Sequence, residues 1–118
     1  MINDSIIRIC ELPIDFKSLN KSVYTLAKES GFKHTSKDLQ LVEIKEYLQQ
    51  NPNLIIEWAI LSQNKRTSGG YYLILDNENV VGSLDSRYKR HDIKFKTELD
   101  ACAEYIYLET SSILGLMK

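Results

Sequence analysis

The spacing of apolar side chains changes twice along the chain. From Asp15, the residues Phe16, Leu19, Val23, Leu26 and Ala27 recur at three- and four-residue steps, which predicts an amphipathic helix. Gly31 follows where a left-handed C-cap is wanted. A second helix is expected to begin at Thr35 or Ser36, with Asp38 three residues after Thr35 as the shorter acid of a capping box. Its apolar face is Leu41, Ile44 and Leu48 with Val42 beside it, and Pro52 ends it near Asn51. Two helices joined by a short turn give a helical hairpin. Upstream, Asp4 precedes a short apolar stretch.

In the middle third the period shortens. Leu54, Ile56, Trp58 and Ile60 alternate with Ile55, Glu57, Ala59 and Leu61, so both faces are largely apolar and a central strand is expected, with Glu57 as the exception. Tyr71, Leu73 and Leu75 alternate with Tyr72, Ile74 and Asp76; DNEN then leads into VVGSL, a hairpin with a four-residue connection. Residues 85–96 read DSRYKRHDIKFK, where Tyr88, Ile93 and Phe95 predict a short edge strand guarded by basic side chains.

The helical period returns after Thr97, a predicted N-cap with Asp100 at N3 and Glu98 and Glu104 toward the positive end of the helix dipole. Leu99, Cys102, Ala103, Ile106 and Ile113 form the stripe expected to be buried on the sheet, flanked by Tyr105 and Leu108. The expected architecture is α+β: two N-terminal helices, a three- or four-stranded antiparallel sheet, and a C-terminal helix packed on the sheet. Residues 1–118 are expected to form a single domain, since 43% hydrophobic and 26% charged residues suffice for one core.

Charge narrows the partners. Fifteen basic against sixteen acidic residues leave a formal net charge of −1, so no global field favours nucleic acid or an anionic membrane. The N-terminus has no signal-peptide pattern, and no apolar run approaches the roughly 20 residues that span a bilayer. Cys10 and Cys102 lie far apart among apolar neighbours, as core thiols do. A reducing cytoplasm is the expected location.

Candidate chemistry is sparse. Gly69 and Gly70 lack phosphate-loop spacing, and His34 and His91, placed between helices and in a charged loop, have no ligand partners at metal spacing. No catalytic residue, metal site or cofactor is expected. His91 and Glu57 are the only candidates an enzyme reading would use. Between residues 62 and 96 there are seven basic and four acidic residues, whereas four acids and one lysine follow from Thr97 onward. The basic 87–96 segment, with Arg87, Tyr88 and Arg90, permits a small nucleic-acid-binding module as the alternative function, although such modules are more often basic overall. In SQNKRTSGGYYL, residues 62–73, the glycines predict a hairpin tip. Lys65 and Arg66 could there lie over Trp58, Tyr71 and Tyr72 as cation–π partners.

The string EIKEYLQQNPNLIIEWAILSQNKRTSGGYYL, with ACAEYI following about thirty residues later, resembles small bacterial immunity proteins of polymorphic toxin and contact-dependent growth inhibition systems. The likeness spans residues 43–106: a tryptophan, a serine, KRTS, glycine, an aromatic pair, and a closing ACA helix. It implies a non-enzymatic antitoxin that binds the C-terminal domain of a cognate toxin, often a nuclease, and covers its active site or substrate surface. Acids on helical faces, Glu43, Glu46, Glu98, Glu104 and Glu109, would then mimic phosphates, or Lys65, Arg66, Arg87 and Arg90 would meet acidic toxin residues. Tyr71 and Tyr88 are aromatic contact candidates. Oligomeric state is left open.

Overall fold

Capping side chains set the helix boundaries in the computed structural model, which describes residues 2–33, 35–63, 70–84 and 90–116 except for the side chains of Leu84 and Arg90. Asn3 accepts the Ser5 N–H at 2.8 Å and opens α1 (Asp4–Cys10), whose buried side is Ile6, Ile9 and Cys10. Next comes α2 (Leu12–Ser18), with Pro13 in its first turn, where a missing N–H costs no helical bond. Ser22 accepts from the Thr25 N–H at 3.1 Å and starts α3 (Val23–Glu29). The one helix expected from Asp15 onward is therefore two. Asn20 adopts a left-handed conformation (φ 44°) between them, and Leu19 is turned half out of the core. Gly31, at φ 77°, takes the left-handed conformation expected of it.

The cap of α4 (Lys37–Gln50) is Ser36, whose Oγ accepts from the Leu39 N–H at 3.4 Å. Its buried face is Gln40, Ile44 and Leu48; Leu41 is only partly buried and Val42 is exposed. Gln40 is tolerated inside because its Nε2 donates to the Lys33 carbonyl at 2.6 Å.

The segment expected as a central strand is a helix. In α5 (Asn53–Ser62), Leu54, Trp58 and Leu61 are buried at four- and three-residue spacing, while Ile56 and Ile60 are 60% and 61% exposed. An apolar run with hydrophobic residues at nearly every position satisfies both periods, and its eight residues do not decide between them; Leu54, Trp58 and Leu61 packing into the core does. Trp58 thus lies on no strand, and its ring meets Tyr105 of the last helix edge-on with centroids 5.9 Å apart. Glu57 is explained by an ion pair across to Lys17 of α2 at 2.9 Å.

The sheet is three-stranded and antiparallel, in the order β1 (Tyr71–Ile74), β2 (Val80–Leu84), β3 (Arg90–Lys94). Its register pairs Tyr72 with Gly82 and Gly82 with Asp92. Asp76, Asn77 and Asn79 supply the left-handed angles of the β1–β2 turn, residue types that carry this conformation at low cost. β3 is an edge strand, as expected, and it includes His91, which the sequence reading placed in a loop.

α6 (Glu98–Ile113) is capped by Thr97, whose Oγ1 accepts from the Asp100 N–H at 3.1 Å. It packs on β1 and β2 and is met by α1, α3, α4 and α5. Enclosed on both sides, it buries Tyr105, Tyr107, Glu109 and Thr110 as well as Cys102, Ala103 and Ile106. The fold is α+β with the C-terminal helix on the sheet, and among the described residues five helices rather than two precede the strands. No helix among the described residues is long and apolar enough to cross a membrane.

Both cysteines are free and fully buried. Burial, with Glu11 as a lesser cause, pushes the Cys10 thiol from an ordinary value of 9.0 to about 12. Burial and then the nearness of Cys10 push Cys102 upward too. The folded state therefore holds these protons more tightly than the unfolded chain. Stability is fully present below about pH 9 and is lost as pH rises toward the folded values. Urea midpoints should stay level from pH 7.5 to 8.5 and fall by pH 10.5, with Cys102→Ala showing a shallower fall. A wild-type midpoint unchanged at pH 10.5 would contradict this.

Candidate functional site

An apolar surface crosses α2, α5 and β1. Its larger part is a groove of about 730 Å³ between α5 and the β1 hairpin, walled by Ile56 and Ile60 on one side and by Tyr72, Ile74 and Leu75 on the other. Ile60 also forms the wall of a second depression of about 110 Å³, lined by Pro13, Phe16 and Leu61 and edged by Lys17 and Glu57. Two isoleucines four residues apart present one continuous ridge, because that spacing returns to the same helix face. The side chains that anchor α5, Leu54, Trp58 and Leu61, occupy its opposite side and hold the ridge outward.

Polar groups frame this apolar area. Asp76 and Glu98 contribute carboxylates to the larger groove, and its described lining contains no lysine or arginine. At the smaller depression the Lys17 ammonium is bound to both oxygens of Glu57 at 2.9 Å. The Tyr72 wall is fixed across the sheet. Its ring passes over Gly82 and its hydroxyl donates to Asp92 Oδ1, and any side chain at position 82 would overlap both partners. An apolar centre with a polar rim is the anatomy of a protein-binding surface.

Of the residues proposed from sequence, Glu98 falls on this groove, exposed at the first position of α6. Tyr71 does not; its N–H donates to Glu109 Oε1 at 3.3 Å and its ring packs against the core. Glu104 is mostly covered, ion-paired with Lys37 of α4 at 3.4 Å, while the same ammonium sits 5.6 Å from the centre of the Tyr107 ring. Arg90 begins β3. Lys65, Arg66, Arg87 and Tyr88 lie outside the described residues, as does His34, so the expected contact of Lys65 and Arg66 with aromatic rings does too. Trp58 itself is a buried residue of α5 rather than part of a strand.

Besides Glu104, two more of the acids expected on exposed helical faces are engaged within the fold. Glu109 is 1% exposed and accepts from Tyr105 Oη at 3.3 Å in addition to Tyr71. Glu43 accepts the Asn3 N–H at 2.7 Å and joins α4 to the start of α1. Beside it, Tyr47 donates its hydroxyl to Glu11, and this bond, ahead of burial, pushes the phenol to about 12. Glu43, Tyr47 and Glu109 thus tie elements together.

The two residues an enzyme reading would use are on separate elements: Glu57 faces Lys17 on α5, and His91 lies exposed on β3 opposite Ser83. Among the described residues, no group of three or more His, Cys, Asp or Glu side chains is arranged to hold a metal ion. The isoleucine ridge escaped the sequence reading. Its signal was present in the i, i+4 spacing of Ile56 and Ile60 opposite Leu54, Trp58 and Leu61, visible once the segment is read at the helical period. Compared with known proteins, the chain matches no family model, no curated relative and no solved structure.

Proposed function

We propose that this chain is a bacterial immunity protein, a cytoplasmic antitoxin that binds the C-terminal domain of a cognate toxin and covers its active site or substrate surface. The observation that carries the reading is the apolar surface around Ile60: two adjoining depressions with Ile56 and Ile60 more than half exposed, edged by Lys17, Glu57, Asp76 and Glu98. Isolated exposed aliphatic residues are ordinary; what supports the reading is that Ile56 and Ile60 share one ridge between two depressions and that charged side chains edge it, the arrangement of an interface with an apolar centre and polar rim. The resemblance over residues 43–106 supplies the kind of partner. The toxin is a nuclease in this account, and inhibition needs only that the bound chain exclude its nucleic-acid substrate.

Co-expression tests this. The toxin domain encoded directly upstream of this chain's gene should arrest growth when expressed alone, and co-expression of this chain should restore it. If the toxin stays active in the presence of the folded chain, the proposal is wrong.

A further inference from the structure

The edge of β1 decides the form of what can enter the larger groove. Adding a strand to a sheet needs the outward-facing N–H and C=O groups of an edge strand. On β1 the Tyr71 N–H is given to Glu109, and α5 packs along the strand. With α5 lying against this strand and its first N–H already taken, an occupant is read through its side chains. The groove offers such an occupant two aliphatic walls, the Ile56–Ile60 ridge and Ile74 with Leu75. Among the described residues its charged side chains are the exposed carboxylates Asp76 and Glu98.

We infer that the groove receives an amphipathic helix of the partner, with aliphatic side chains at i and i+4 seated against Ile56 and Ile60 and lysine or arginine residues reaching Asp76 and Glu98. This rests on the partner-binding reading above and names what that surface recognises. A helix places side chains at i and i+4 on one face, and flanking cations meet the carboxylates without crossing the apolar floor.

The probe is a 15-residue helix-forming peptide with leucines along one face and lysines on both flanks, compared with a twin carrying glutamates in place of the lysines. Affinity is read by fluorescence anisotropy at low ionic strength, and the site by methyl resonances of the isoleucines. The lysine peptide should shift Ile56, Ile60 and Ile74 and bind at least about tenfold tighter than its twin. Asp76→Lys with Glu98→Lys should abolish that preference, while Ile60→Glu should weaken both peptides. Equal binding of the twins, or shifts confined to isoleucines elsewhere such as Ile93, would overturn the inference. The growth assay fails independently: unrescued growth with a peptide-binding groove removes the toxin and leaves the groove's chemistry standing, and rescue without peptide preference does the reverse.

Discussion

Replacing Trp58 with alanine lowers the unfolding free energy by about 3–5 kcal/mol, the usual cost of removing a buried tryptophan from a close-packed core. The side chain is 1% exposed and its ring abuts Tyr105. It also makes a polar bond, donating Nε1–H to the Cys10 carbonyl at 2.9 Å. Cys10 is the last residue of α1, where carbonyls have no acceptor role left within the helix, so the indole caps one helix from another. Trp58→Phe separates the two contributions. It keeps most of the ring contact, loses the donor, and should cost about 1–3 kcal/mol. Urea denaturation of both variants measures this; a Trp58→Ala midpoint equal to wild type would mean that α5 does not pack as described.

The second large effect is at Glu109. Its carboxylate stands at the junction of α6 with the start of β1, accepting from the Tyr71 main chain and the Tyr105 hydroxyl. Glu109→Ala removes both bonds and leaves space in a fully buried position, at a cost of about 3 kcal/mol. Glu109→Gln should cost only about 1 kcal/mol, since the amide oxygen still accepts from Tyr71 and the Tyr105 hydroxyl can turn to accept from the amide. Hydrogen exchange gives a local readout, with the Tyr71 amide losing protection in the alanine variant and retaining most of it in the glutamine variant. An alanine variant within about 0.5 kcal/mol of wild type would show that Glu109 does not anchor β1.

What could be read from the sequence was written in short-range chemistry. Ser36, Pro52 and Thr97 bound their helices by capping and chain-breaking rules that act within one turn, and the Asp-Asn-Glu-Asn turn specifies its hairpin through residues that accept left-handed angles. The burial of Cys10 and Cys102 followed from their apolar neighbours. The break at Asn20 was hidden because apolar residues keep the helical step on both sides of it, so only the Ser22 cap signals a new start. Residues 54–61 failed for a different reason. With every position but Glu57 apolar, alternation and helical spacing are both satisfied, and the choice is made by Leu54, Trp58 and Leu61 meeting the rest of the core.

The same ambiguity hid the candidate site. A central strand would have buried Ile56 and Ile60 with Trp58, whereas the helix turns them to the opposite side. The exposure of Glu98 was legible because an N1 position projects from the helix end. Glu104 and Glu109 share its charge and helix, but the elements packed around α6 cover them. No local rule reports that enclosure, since it depends on the long-range placement of α4 and β1.

The most direct test of the account is a titration of the purified toxin domain with wild-type protein and with the Ile56→Glu, Ile60→Glu double variant, each first shown to unfold at the wild-type urea midpoint. Both positions are more than half exposed, so the fold tolerates the change, while two charges placed in the apolar centre of an interface should weaken binding by about 100-fold or more. The account predicts tight one-to-one binding by the wild type and that loss in the double variant. Undiminished affinity in the folded double variant, or no binding by the wild type, would contradict it.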